Sequence, residues 1–206
     1  MRGSKLERYE KLVEQIRRCT KCRLHATRKN PVPGEGSLEA EVMFVGEAPG
    51  RREDELGRPF VGMAGNLLTA LLREIGLSRE EVYITNIVKC RPPGNRDPRD
   101  DEIAACLPYL IEQIKIIGPK ILVTLGRHAG RTIYGLAGLK WPGMSKAHGA
   151  AVRATVAGVS LTIFSTYHPA AALYNKGLRT VLQEDFRRLK SLLSGEGRGR
   201  TLFDYF

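Results

Sequence analysis

The sequence predicts an α/β protein: a single domain built as a three-layer α/β/α sandwich around a central, mainly parallel sheet of four strands. Three observations carry this. A chain of 206 residues holds one substantial core rather than two. Four short, mostly apolar runs recur along it, each of strand length. Stretches of helical periodicity separate them, and strands alternating with helices imply a parallel sheet covered on both faces.

Residues 5–18 read as an amphipathic helix leading into a Cys19–Cys22 loop. "AEVMFVGEA" is the first buried strand, closing on Gly46, Glu47 and Ala48. Leu67, Leu68, Leu71, Leu72 and Ile75 share one helical face, and Gly76 is the stop signal. "VYITNIVK" at 82–89 is the second strand. Asp97-Pro98, followed by Asp100, Asp101 and Glu102, has the form of a helix start with cap, N1 proline and acidic first turn. The apolar positions of that helix are Ile103, Leu107, Leu110, Ile111 and Ile114, and Pro108 predicts a kink just after Cys106. "KILVTLG" at 120–126 and "SLTIFSTYH" at 160–168 are the third and fourth strands. "AAVRATVAGVSLTI" alternates weakly and adds a hairpin at one sheet edge. The folded domain is expected over 1–194, followed by a flexible Gly/Arg-rich tail over 195–206 with an aromatic end.

Composition excludes some classes of function. Hydrophobic residues make up 42% and charged residues 27%, as in soluble globular chains. No run approaches the roughly 20 apolar residues of a membrane span. The N-terminus is a charged helical pattern without an apolar signal region, so a cytoplasmic protein is the simplest expectation. The 33 Lys+Arg against 22 Asp+Glu give a net charge of +11. That excess suits a polyanionic partner such as nucleic acid, or serves solubility or heat adaptation. No P-loop and no G-x-G-x-x-G after a strand occurs.

Four cysteines, Cys19, Cys22, Cys90 and Cys106, read as a metal or cluster site before they read as disulfides or buried thiols. Zinc and iron–sulfur both accept four thiolates, and spacing does not separate them. In open parallel sheets, ligands bind beyond the carboxyl ends of the strands. Glu47 follows the first strand, Asn86 lies within the second and His168 follows the last, so a formed sheet brings the three together. Singly each has a structural alternative: a helix cap, a loop support and a core histidine.

"GEAPGRREDELGRPFVG", "YITNIVKCRPPGNRDP" and "YHPAAAL", with the four cysteines, resemble the thermostable, iron–sulfur-containing uracil-DNA glycosylases, family 4 of that superfamily. The resemblance runs from about Cys19 to Leu189. It implies a monofunctional hydrolase acting on uracil in single- or double-stranded DNA, with a 4Fe–4S cluster on Cys19, Cys22, Cys90 and Cys106. Phe60 would stack on the flipped base, and Asn86 would read its N3–H and O4, since an amide both donates and accepts. His168 would stabilise charge on uracil O2. Glu47 would position or deprotonate the attacking water, and the backbone at Gly46–Ala48 would also touch the base. Leu173 would be the wedge entering the duplex. Ser165, Arg91 and Arg96 are candidates for phosphate contacts. Leu202, Tyr205 and Phe206 resemble the motif by which repair proteins bind a sliding clamp, with Gly199 where a glutamine is usual. A monomer is expected.

The chain departs from other branches of the superfamily at Ala48, where they carry Asp, and at Gly50, where they carry an aromatic that excludes thymine. Competing readings are a glycosylase that also accepts hypoxanthine or xanthine, a non-catalytic uracil-DNA sensor, and a nucleotide-binding α/β protein.

Overall fold

The computed structural model describes residues 2–195, so the clamp-like Leu202, Tyr205 and Phe206 lie outside the described residues. Its helices and strands, in order, are α1 (Arg2–Arg17), β1 (Glu35–Gly36), β2 (Val42–Gly46), α2 (Arg51–Leu56), α3 (Met63–Glu74), β3 (Tyr83–Asn86), α4 (Asp100–Ile117), β4 (Ile121–Leu125), α5 (Arg127–Leu136), α6 (Met144–Ala147), β5 (Ala151–Val156), β6 (Val159–Thr166), α7 (Pro169–Ala172) and α8 (Lys176–Leu193).

The sheet order is β1-β3-β2-β4-β6-β5. β3, β2, β4 and β6 are mutually parallel and form the expected four-stranded centre. The sheet is wider than expected, because β1 and β5 pair antiparallel at its two edges. β5 is the first arm of the hairpin that the alternation of 150–163 suggested. β1 is two residues long, too short to leave a periodic signal.

Every residue of β2, β3 and β4 is buried, which is what a parallel sheet covered on both faces requires. Side chains alternate between faces. Met43, Val45, Leu122 and Ile163 meet α1, α4 and α5 through Leu12, Ile16, Leu110, Ile114 and Ile133. Phe44, Ile84, Val123 and Phe164 meet α3 and α8 through Leu68, Leu72, Leu182, Phe186 and Leu189. One apolar cluster on each face of the same sheet gives the three layers of a single domain. The expected α3 face is buried throughout.

Helix α4 departs from its sequence pattern. Its N-cap is Arg99, and Glu102 closes a capping box by accepting from the Arg99 amide. Asp97 lies outside the helix and serves elsewhere. The buried stripe includes Glu102, Cys106, Tyr109, Leu110, Gln113, Ile114 and Ile117, while Ile103, Leu107 and Ile111 are only partly covered. Apolar periodicity misplaces this face because two of its core positions are polar. Gln113 donates to the Pro33 carbonyl and to Tyr83 Oη, at 2.7 and 2.9 Å. The helix is continuous through Pro108.

Candidate active site

Strand register assembles the site. Gly46 and Asn86, the last residues of β2 and β3, are paired neighbours. Ile87 and Val88 donate to the carbonyls of Gly46 and Glu47, so the two chains stay parallel for one step beyond the sheet. On the other side, Leu125 of β4 is paired with Thr166 of β6, and His168 follows two residues later. Glu47, Phe60, Asn86 and His168 therefore line one cleft of about 370 Å³, together with Ala48, Glu53, Asn95 and Arg96.

Asn86 forms one wall. It is 2% exposed, and its Oδ1 has no hydrogen-bond partner among the described residues. A buried amide oxygen left unpaired costs about 1–3 kcal/mol, so it marks a place where a donor is meant to arrive. The other such atom, Tyr134 Oη, does not line the cleft. Gly46 leaves the space for it: an added Cβ would collide with Asn86 Oδ1 and stand 2.6 Å from Phe60 Cζ.

Phe60 is the apolar surface. Its φ of 50° is uncommon for a non-glycine residue, and neighbouring groups impose it. The Val61 and Gly62 amides both donate to Glu53 Oε1 at 2.8 Å. Arg79 donates to the Pro59 and Phe60 carbonyls at 2.7 and 3.0 Å and pairs with Glu35. A Cβ on Gly65 would overlap the Phe60 carbonyl, so only glycine lets α3 pack this close. The Phe60 ring lies 5.6 Å from the His168 ring, tilted by 31°.

His168 Nδ1 accepts from the Ala170 amide at 3.2 Å, so the hydrogen of the neutral ring is on Nε2. Burial pushes its pKa down to about 4, against a weak opposing pull from Glu53. At neutral pH it is therefore an uncharged donor, suited to stabilising a developing anion without carrying a charge of its own.

Glu47 stands at the tip of β2. Burial raises its pKa, Asp97 adds to the rise, and His128 and Arg127 counter it. Glu47, Asp97 and His128 bring two carboxylate oxygens and a ring nitrogen within 4.8 Å of one another. Sequence reading missed Asp97, Arg127 and His128 as site residues. His128 was detectable only as a histidine two residues after a strand-ending glycine; Asp97 was taken for a helix cap.

The remaining expected residues divide. Ser165 is a correction: it is fully buried, and its Oγ accepts from Thr124 Oγ1 at 2.9 Å. It reaches no solvent and so no phosphate. Arg96 edges the cleft, but its guanidinium is held at 2.6 and 2.8 Å by the buried Glu102 carboxylate. Arg91 Nε donates to Asn95 Oδ1 at 2.6 Å on the surface. Leu173 ends α7 beside the cleft-lining Ala170 and Ala171, 36% exposed, and the neighbouring Tyr174 is 87% exposed.

The four cysteines are free thiols lining one separate pocket with Arg28, Lys89 and Tyr109. Arg28 donates to Cys90 Sγ at 3.1 Å, and the Lys89 amide donates to Cys106 Sγ at 3.2 Å. Lys89 links this pocket to the cleft. Its fully buried Nζ donates to the Asn86 carbonyl and Gln113 Oε1, both at 2.6 Å, and to Thr85 Oγ1 at 2.7 Å. Burial pushes its pKa down to about 7.

The family model described as the uracil DNA glycosylase superfamily matches residues 33–190. The chain is 52% identical over 192 residues to a type-4 uracil-DNA glycosylase of Saccharolobus solfataricus, covering 93% of this chain and 89% of that relative. It is 46% identical over 200 residues to a protein of the same name from Archaeoglobus fulgidus, covering 97% and 100%. A type-5 uracil-DNA glycosylase of Pyrobaculum aerophilum is 37% identical over 175 residues, covering 77% and 74%.

Proposed function

The chain belongs to the uracil DNA glycosylase superfamily, and from that premise we propose that its cleft excises uracil from DNA by the steps that follow. It is a hydrolase of N-glycosyl bonds in DNA repair, within the type-4 group. The unpaired Asn86 Oδ1 carries the reading of the site. Uracil flipped from the stack enters against Phe60, gives its N3–H to Asn86 Oδ1 and takes the Asn86 Nδ2 hydrogens on O4. Cytosine presents a lone pair at N3 and an amine at C4, leaving both ends of the amide opposed.

As the N1–C1′ bond breaks, its electron pair leaves with the base and spreads to O2. The neutral His168 Nε2–H donates there. Water adds to C1′ on the face where Glu47 waits, and its proton passes to the carboxylate. No lysine lies among the cleft residues, in keeping with hydrolysis and no covalent amine step. Leu173 is the wedge, with Arg91 near the DNA backbone. The Leu202–Phe206 tail keeps its proposed role as a sliding-clamp ligand.

The thiols fit a 4Fe–4S cluster held by Cys19, Cys22, Cys90 and Cys106. Two of the sulfurs receive N–H donors, as cluster sulfurs commonly do. When bound, such a cluster ties the end of α1 to the segment after β3 and to α4. No step of the hydrolysis passes through it.

The test uses oligonucleotides with one uracil opposite guanine, opposite adenine or unpaired, plus thymine and hypoxanthine controls, scored for alkali-labile sites in chelator. Cleavage confined to uracil is expected. Cleavage at hypoxanthine as well would favour the broad-range alternative, and binding without cleavage would leave a sensor.

A further inference from the structure

We propose that His128, clasped by Asp97 and Arg127, is a positioning residue for Glu47: it keeps that carboxylate charged and turned into the cleft. The inference rests on the glycosylase reading of the cleft and adds to it a residue outside the motifs quoted above.

The placement follows from the sheet. β2 and β4 are adjacent and parallel, with Val45 opposite Thr124. The chain leaves β2 into Glu47 and leaves β4 into the first turn of α5, so Glu47 and His128 emerge side by side. His128 Nε2 stands 3.8 Å from Glu47 Oε2 and 3.1 Å from Asp97 Oδ2. Arg127 Nε donates to the same ring nitrogen at 3.2 Å, and its Nη2 pairs with Asp97 Oδ2. Three elements thus converge: the β2 tip, the loop before α4, and α5. The His128 side chain is only 20% exposed and Glu47 29%, so neither moves freely in solvent.

The charge count shows what the ring does. Glu47 and Asp97 are two negatives against the one positive of Arg127, and the ring holds that cation beside them by accepting its Nε–H. Burial favours the protonated form of Glu47 and Asp97 adds to it, while His128 and Arg127 oppose. Bound DNA strengthens the first tendency, because it removes water and brings phosphates near. A protonated Glu47 cannot accept the proton of the attacking water. The other charged groups of the cleft are committed elsewhere: Glu53 to the Val61 and Gly62 amides, Arg96 to Glu102. His168 faces the base rather than this cluster.

The experiment measures single-turnover excision of uracil from about pH 4.5 to 9, with DNA affinity and melting temperature, for the wild type, His128→Ala, His128→Gln and His128→Lys. The acid limb reports Glu47, which must be ionised, and rate is lost as pH falls through its pKa. Removing the ring withdraws a stabiliser of the ionised form, so the limb of His128→Ala and His128→Gln moves up. A displacement of about one unit means roughly tenfold slower excision on the steep part of the limb, below the wild-type midpoint. The alkaline plateau and the affinity stay within about threefold of wild type. His128→Lys, which places a cation beside the two carboxylates, brings the limb back. Superimposed limbs, or a rate loss equal at every pH, would overturn the proposal. A wild type inert toward uracil at all pH values would instead overturn the glycosylase reading.

Discussion

The cleft and the cysteine pocket are both anchored on β3, with Asn86 and Cys90 four residues apart, yet they treat polar atoms in opposite ways. The cleft leaves a buried acceptor, Asn86 Oδ1, without a partner and holds Phe60 in an uncommon backbone conformation. The cysteine pocket supplies protein donors to its sulfurs. One region leaves a buried polar atom unpaired; the other gives two of its sulfurs protein donors.

That contrast is testable by variants that should separate activity from stability. His168→Ala removes the donor to the departing base and is expected to lower kcat by about 10²–10³-fold with little change in melting temperature. Equal losses in both would blur the distinction. Gly46→Ala drives a methyl between Asn86 and Phe60; about 1–3 kcal/mol of overpacking should appear as a loss of uracil excision, with the base-free fold retained. Lys89→Met strikes the connection between the regions. It strips donors from Thr85, Asn86 and Gln113, and one or two orphaned acceptors at about 1–3 kcal/mol each should lower the melting temperature and the excision rate together. The exposed Lys120–Glu41 pair touches neither region, and Lys120→Ala should cost under about 1 kcal/mol.

A pH series sharpens the picture. His168 has its pKa depressed to about 4 in the fold, against about 6.5 when unfolded. The neutral ring therefore contributes stability that is fully present above pH 6.5 and is lost as pH falls from there to about 4. Melting curves across that window should slope less for His168→Asn than for the wild type. Parallel slopes would mean the ring is not held neutral by burial.

The sequence was most readable where a single local rule decides the outcome. The Leu67–Ile75 stripe is apolar at helical spacing and buries as its spacing says. The four parallel strands are continuous apolar runs because both their faces are covered. Glu47, Asn86 and His168 stood out as polar residues at the ends of those runs. α4 was less readable, since Glu102 and Gln113 occupy its buried stripe and apolar periodicity cannot register a polar residue that is internally bonded. Ser165, a candidate for a phosphate contact, is buried because it faces Thr124 of the neighbouring β4.

The sequence by itself determined the class of fold, the order of its elements and the family motifs, because those depend on periodicity and on neighbours in the chain. Tertiary structure alone decided which residues surround each functional group. Asp97 joins Arg127 and His128 beside Glu47, Lys89 reaches from Asn86 to Gln113, and Glu53 with Arg79 holds Phe60 in place. Several of those partners lie far apart in the chain, and the parallel pairing of β2 with β3 and β4 is what sets Glu47 beside Asn86 and His128. A contact of that kind belongs to the sheet register, which no short window of sequence contains.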